Sequence, residues 1–148
     1  MKLVTGPFQL ELSPTRAVDS EDWVRVGAAI AVAGFTGNFE AWLQLEDLRR
    51  FIRELEVMYA AVGTPRTAEL TSAEPDIRVR LQSQPLGGIL GNYRLESERR
   101  DGVATALSGS FELDQTFLPD LAESVQSLIL ALGERHVALY LPSEPSER

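Results

Sequence analysis

The segment LEDLRRFIRELEVMYAAVG, residues 45–63, predicts an amphipathic helix between two groups of strand-like segments. Carboxylates fall in its first turn, where they complement the positive end of the helix dipole, and Gly63 with Pro65 supplies a stop. Its apolar residues recur at the i, i+3, i+4, i+7 spacing of one helix face: Leu48, Phe51, Ile52, Leu55, Met58, Tyr59 and Val62. Such a stripe needs a surface to pack on, and we expect a β-sheet there.

Strand signals come before this helix. Alternating apolar and polar residues predict strands over residues 8–12 and 23–35. The second strand has apolar residues on both faces, which indicates a central position, and one face is small enough to admit another backbone or a helix. Thr36-Gly37-Asn38 predicts a hairpin turn, and residues 39–44 the returning strand.

Strand signals also come after this helix. Further strands are predicted over residues 66–71, 77–82, 89–99 and 103–113, the last two joined by the hairpin signal Asp101-Gly102. Thr116 is a candidate cap for a second amphipathic helix that runs to about Leu132 and ends at Gly133. A last strand is predicted over residues 137–141.

The order of elements is strands, a helix, strands and a helix, with hairpins instead of βαβ alternation. It predicts an α+β fold: a mainly antiparallel sheet with two amphipathic helices packed on one face. The length of 148 residues fits one domain, which we place at residues 1–141. The remaining residues 142–148, PSEPSER, are predicted to be a disordered tail.

Composition excludes several kinds of site. The chain has no cysteine and one histidine, His136, which excludes disulfides, thiolate chemistry and the usual zinc centres. No serine lies in a G-x-S-x-G elbow, and His136 is predicted to be a partly exposed structural residue rather than a general base. We therefore predict no enzyme activity, no cofactor and no metal.

Charge and hydropathy point to a cytoplasmic binding protein. With 22 acidic and 14 basic residues the net charge is −8, which opposes direct binding of nucleic acid and favours a basic protein partner. No apolar run approaches the roughly 20 residues needed to cross a bilayer, and the N-terminus has no long apolar leader segment. The oligomeric state is left open.

One group of charged residues is a candidate binding site. Its members occupy outward positions on predicted neighbouring strands, where they can form either an arginine-lined anion site or cross-strand ion pairs, which we favour. They are Arg78, Arg80, Arg94, Glu96 and Glu98. The glycine-rich segment 87–92 lacks the spacing and the following helix of a phosphate loop, and it predicts a bend or bulge.

The order of segments resembles a family of small bacterial proteins. An early strand pair, LEDLRRFIRELEVMY, the strand GGILGNYRLE with its Asp-Gly hairpin, and FELDQTFLPDLAESVQSLI are similar to the immunity proteins of polymorphic-toxin systems, of the wall-associated-protein (WapI) immunity type. The resemblance covers roughly residues 8–132. It implies a protein that binds and neutralises a cognate toxin domain, often a nuclease, without catalysis of its own.

The sequence is therefore compatible with three functions. The first is a non-enzymatic acidic protein that neutralises a basic toxin or nuclease domain. The second is a small-molecule (anion) binding protein, or an enzyme, that uses the arginine-bearing sheet face. The third is a homo-oligomeric structural protein, which a monomeric mass in solution would exclude.

Overall fold

Eight strands and two long helices make up the described part of the protein. The computed structural model describes residues 1–16, 18–61, 63–72, 77–97 and 101–140, with the backbone alone for 134–140. In chain order the elements are β1 (Lys2–Thr5), β2 (Phe8–Pro14), β3 (Trp23–Val32), β4 (Phe35–Gln44), α1 (Leu45–Ala60), β5 (Thr67–Thr71), β6 (Ile77–Ser83), β7 (Gly88–Glu96), β8 (Ala106–Asp114), a 3-10 turn (Gln115–Phe117) and α2 (Leu118–Tyr140).

The predicted α+β class and the antiparallel pairing are confirmed. The strands, however, form two four-stranded sheets, β1-β2-β3-β4 and β5-β6-β7-β8, where the sequence predicted one. Helix α1 packs against β5, an edge strand of the second sheet. There the carboxylate of Glu54 accepts a hydrogen bond from the backbone N–H of Glu69, at 2.9 Å. A side chain thus occupies an edge that a further strand would otherwise extend.

The inner faces of the two sheets share one buried apolar cluster, to which both helices contribute. At its centre Phe8 of β2 stacks on Phe111 of β8, with ring centroids 4.4 Å apart, and lies 4.7 Å from the ring of Tyr93 on β7. The β7–β8 register places Gly91 opposite Phe111 and Gly109 opposite Tyr93. Each aromatic ring therefore lies over a glycine of the neighbouring strand, where a side chain would collide with it.

The two helix stripes are largely as predicted. Leu48, Phe51, Leu55 and Met58 are buried, whereas Tyr59 is 48% exposed, and Val62 lies outside the described residues. In α2 the predicted stripe residues Leu118, Leu121, Val125, Leu128 and Leu132 are buried, and Ile129 is partly buried. The helices pack against each other, and α2 also contacts β1 and β2.

Several predicted boundaries were wrong for local reasons. The first hairpin turns at Ala33-Gly34 instead of Thr36-Gly37-Asn38, because Gly34 takes the positive φ of +87° while Gly37 stays in the ladder opposite Ile30. Strand β1 was not predicted. The Asp101-Gly102 hairpin is confirmed, with both residues at positive φ, but its strands are shorter than predicted.

The second helix differs most from the prediction. Asp114, not Thr116, caps the 3-10 turn that precedes it, by accepting a hydrogen bond from the Thr116 N–H at 2.8 Å. Gly133 does not end the helix, because its φ is not positive, and α2 continues through it to Tyr140. The predicted strand over residues 137–141 is therefore wrong as far as Tyr140, and Leu141 lies outside the described residues.

Within the described ranges, no helix combines the length and apolar character needed to cross a membrane. That residues 1–141 form a single domain stays a prediction, as does a cytoplasmic location. The predicted tail, residues 142–148, lies outside the described residues.

Candidate binding surfaces

The predicted arginine group lies on the outer, polar face of the second sheet. Alternation along β6 and β7 directs these side chains away from the core, since Ile77, Val79 and Leu81 point inward. The strand register brings Arg78 directly opposite Arg94 and places Arg80 opposite Asn92. Glu96 lies at the end of β7, opposite Ala106. Glu98 lies outside the described residues, so four of the five predicted site residues are placed on this face.

Ion pairs form here, but with a partner that the sequence reasoning missed. The Nε of Arg78 lies 3.0 Å from Oε1 of Glu69 on the neighbouring strand β5, and Thr71 donates a hydrogen bond to the same oxygen at 2.7 Å. A guanidinium nitrogen of Arg94 lies 3.5 Å from Glu96, two residues along its own strand. Alternation in β5, with Ala68 and Leu70 buried, could have placed Glu69 on this face.

These contacts set the protonation of Glu69. Partial burial is the largest influence on its pKa and raises it. The hydrogen bond from Thr71, the charge and hydrogen bond of Arg78 and the charge of Arg80 together outweigh burial, and the pKa lies below its ordinary value. Glu69 is therefore a carboxylate held by arginines, not a candidate proton donor.

Arg80 differs from its neighbours. Its Nε is buried and has no hydrogen-bond partner among the described residues. A buried donor without an acceptor is unfavourable, as are like charges placed directly opposite each other on adjacent strands, such as Arg78 and Arg94. An anionic group bound on this face would relieve both.

The second surface is a cavity of about 600 Å³ between α1, the start of β5 and the end of β6, and three arginines line it. Arg50 pairs with Asp47 at 3.2 Å, and Arg53 pairs with Glu46. Asp47 is itself engaged at the start of α1, where it accepts a hydrogen bond from the Gln44 N–H at 2.8 Å. Arg66 completes the set at the mouth of the cavity. Two of the three guanidinium groups are thus already neutralised by residues of their own helix.

The third surface is the interhelical groove, a cleft of about 420 Å³ between α1 and α2. Six residues give it an apolar lining: Ile52, Leu55 and Tyr59 from α1, and Leu118, Pro119 and Ala122 from α2. Two carboxylates flank this lining, Glu56 on α1 and Glu123 on α2. In the part of the chain that the structure describes, neither carboxylate has a hydrogen bond or an ion pair.

The outer face of the first sheet is a shallow trough. Its floor is the small-residue face of β3, and Ala29 there is exposed. The sequence predicted that this face is small enough to admit another backbone or a helix. Thr15 comes close to it, with its methyl group 3.3 Å from the position that a Cβ would take at Gly27. Beside the trough, Arg25 pairs with Glu40 and lies 5.0 Å from the ring centroid of Trp42.

Among the side chains that the structure describes, no group of three acidic, histidine or cysteine residues could hold a metal ion. Glu112 and Asp114, which share a strand face, are not joined by a third ligand. His136 lies in α2 instead of a strand, and its side chain is outside the described part.

One known protein family matches most of the chain. The model of the immunity protein WapI-like family matches residues 4–133. This chain belongs to the WapI-like immunity protein family. The resemblance inferred from the order of segments is thereby confirmed, and the membership indicates an immunity-type, non-enzymatic protein.

Other comparisons add little about this WapI-like protein. No curated protein matches it. Similar solved structures include WHY3 from Arabidopsis thaliana, at 12% identity and a TM-score of 0.46, covering 94% of this chain and 90% of that one. The plant transcriptional regulator PBF-2 is similar at 16% identity and a TM-score of 0.45, covering 94% and 84%. At these scores neither structure supports a functional inference here.

For a WapI-like protein the surfaces of interest are those that can receive another protein. Sequence reasoning found the arginine face because strand alternation reports it directly. It missed the interhelical groove, because a cleft between two helices depends on how they pack. The one available signal was the position of Ile52 and Tyr59 on the margin of the α1 stripe.

Proposed function

We propose that this WapI-like protein binds a toxin domain with a basic surface and neutralises it by occupying that surface, without catalysis. The observation that carries the proposal is the family match over residues 4–133. An immunity-type protein binds a toxin partner. The identity of the toxin and its basic character are the parts that we add.

The charge of the chain supports a basic partner. A net charge of −8 favours encounter with a positively charged surface and repels the phosphate backbone that a nuclease would otherwise bind. A protein of this kind competes with nucleic acid for the same basic surface. It needs no reactive group, only charge and shape that fit.

The test uses a toxin domain identified among the genes adjacent to the gene for this protein. We expect the two purified proteins to form a stoichiometric complex on size-exclusion chromatography with light scattering. Expression of this protein should also restore growth to a bacterial host that produces the toxin domain. A toxin domain that neither associates with the protein nor loses its toxicity would reject the proposal.

A second candidate is the binding of a small anion on the arginine face. The observation that favours it is the buried, unpartnered Nε of Arg80 beside the opposed pair Arg78 and Arg94. Sulfate or phosphate at constant ionic strength should then raise the melting temperature, and the double variant Arg78→Ala/Arg80→Ala should abolish that rise. Arg49→Ala, on the exposed face of α1, is the matched control. Equal responses in all three proteins would reject this candidate.

A further inference from the structure

The interhelical groove has the chemistry of a docking site for a basic amphipathic helix. We propose that the toxin partner inserts such a helix between α1 and α2, with apolar side chains on the groove lining and lysine or arginine beside Glu56 and Glu123. This inference rests on the proposed function and assigns it a surface. It differs from the arginine face and requires none of that face's residues.

The lining is apolar but incompletely covered. Leu55 and Leu118 are buried and form its floor, while Ile52 and Ala122 are partly buried. Tyr59, which belongs to the apolar stripe of α1, remains 48% exposed at the margin. The volume of about 420 Å³ suits a few side chains from one helix face, at the i, i+3 and i+4 positions that helix-in-groove recognition uses.

The charges beside the lining select a cationic partner. Glu56 and Glu123 stand on different helices and leave their carboxylates unpaired within the described structure. From Leu118 to Gly133 the sequence of α2 contains acidic residues but no basic one. On α1, Arg53 is the nearest arginine in sequence to Glu56, but it lines the other cavity and pairs with Glu46. A helix with basic residues at both margins would satisfy both carboxylates.

A second copy of this chain fits the groove less well. Two grooves placed face to face would bring four carboxylates together, and each chain already carries a charge of −8. Like charges brought together at an interface oppose association. The favoured occupant is thus a partner of opposite charge.

The first experiment uses a defined probe, a fluorescein-labelled amphipathic peptide of leucine and lysine, about 18 residues long, designed on the helical repeat. We expect saturable binding by fluorescence anisotropy, with amide shifts in ¹⁵N spectra centred on Ile52, Tyr59 and Ala122. The same peptide with glutamate in place of lysine should not bind. Absence of binding, equal binding of the acidic peptide, or shifts confined to other surfaces would overturn the inference.

Variants then test the groove itself. Glu56→Lys/Glu123→Lys reverses the two carboxylates, and Ala122→Arg fills the groove; each should weaken peptide binding about tenfold or more. The matched control is Glu21→Lys/Glu112→Lys, which makes the same change in net charge at exposed positions outside the groove. Circular dichroism and melting temperature identify any variant that is not folded. If the control weakens binding as much as the groove variants, only net charge matters and the inference is wrong.

The toxin domain separates this inference from the proposed function. Toxin that binds the wild type and is lost from both groove variants supports both proposals. Toxin that binds all variants equally refutes the groove while the proposed function stands. Self-association of the wild type that Ala122→Arg abolishes would show that a second copy occupies the groove, and would overturn the inference.

Discussion

At the scale of single residues, Gly91 is the position where packing leaves no room for a side chain. A Cβ there would lie 2.3 Å from Cε2 of Phe111, whose ring is held from the other side by Phe8. The ring cannot move away without disturbing the centre of the core. Gly91, in the middle of a strand, is thus explained by the aromatic ring above it, whereas the bend that the sequence predicted for segment 87–92 lies at its start, where Gly87 has a φ of +91°.

Gly91→Ala should consequently destabilise the protein. We expect the free energy of unfolding, measured by urea denaturation, to fall by about 2–3 kcal/mol, because an added methyl group overpacks the core. Gly88→Ala is the matched control on the same strand, since a Cβ there meets nothing within 4 Å. The control should change stability by no more than about 0.5 kcal/mol. Equal effects of the two substitutions would contradict this account of the core.

The carboxylate of Glu69 makes the stability of the folded protein depend on pH. Its pKa is lower in the folded protein than in the unfolded chain, because Thr71 and the arginines outweigh the opposing effect of burial. Its stabilising contribution is therefore fully present above the unfolded pKa, near 4.5, and is lost as pH falls through the folded pKa.

Replacing Glu69 by Gln should lower the unfolding free energy at pH 7 by about 1 kcal/mol, since the pair with Arg78 is only partly shielded from solvent. The difference from wild type should shrink as pH falls below about 4.5 and should keep shrinking as pH falls through the folded pKa of Glu69. Glu112→Gln, at an exposed carboxylate without an ion pair in the described structure, serves as the control. A difference that stays constant from pH 7 to pH 3 would show that the charge of Glu69 is not responsible.

At the scale of elements, α2 shows how a glycine can mislead a prediction. Gly133 follows the last residue of the apolar stripe, which is where a helix-ending glycine is expected. It lies instead inside the helix, and a Cβ there meets no atom within 4 Å. Gly63, by contrast, follows α1 with a φ of +90° and does have the backbone of a helix-terminating glycine.

These two glycines should respond to alanine in opposite directions. Gly133→Ala should raise the free energy of unfolding by about 0.5–1 kcal/mol, because alanine is favoured inside a helix. Gly63→Ala should lower it by about 1 kcal/mol, because alanine resists a positive φ. Thermal unfolding followed by circular dichroism measures both. A destabilising Gly133→Ala would mean that the helix ends there after all.

Regular elements were predictable from sequence to the extent that burial is periodic. The stripes of α1 and α2 and the alternation in β6 follow from which face is buried, and they were predicted correctly. Two of the errors lie where a local signal occurs twice within a few residues: Gly34 competes with Gly37 for the turn, and Asp114 with Thr116 for the cap. Nothing in the sequence alone ranks such neighbours, because the surrounding packing selects between them.

The candidate surfaces also differ in how far the sequence could predict them. Arg78, Arg80, Arg94 and Glu96 share a face because each alternates with a core residue of its own strand. The ion-pair partner Glu69 was open to the same reasoning, because β5 and β6 are consecutive antiparallel strands and alternation in β5 leaves Glu69 on this face. The interhelical groove depends on the approach of two helices that are far apart in sequence. Only arrangements within one element, or between elements joined by a hairpin, were accessible.

At the scale of the whole molecule, net charge leads to a prediction about kinetics. If a basic toxin domain is the partner, the association rate constant should fall about tenfold or more between about 50 and 500 mM NaCl, because salt screens long-range attraction. The dissociation rate constant, set by short-range contacts, should change much less. Stopped-flow mixing or surface plasmon resonance measures both. An association rate that is independent of salt would remove the electrostatic part of the proposal.

The division of strands between the sheets has a consequence for the integrity of the chain. All strand pairings lie within one half of the sequence, yet α1 of the first half packs on β5, and α2 of the second half packs on β1 and β2. The hydroxyl of Ser124 on α2 also accepts a hydrogen bond from the backbone N–H of Lys2 on β1, at 2.6 Å. The helix of each half therefore packs on strands of the other half. A chain cleaved between α1 and β5 would keep every hydrogen bond between strands, and we expect its two fragments to remain together as a noncovalent pair on size-exclusion chromatography.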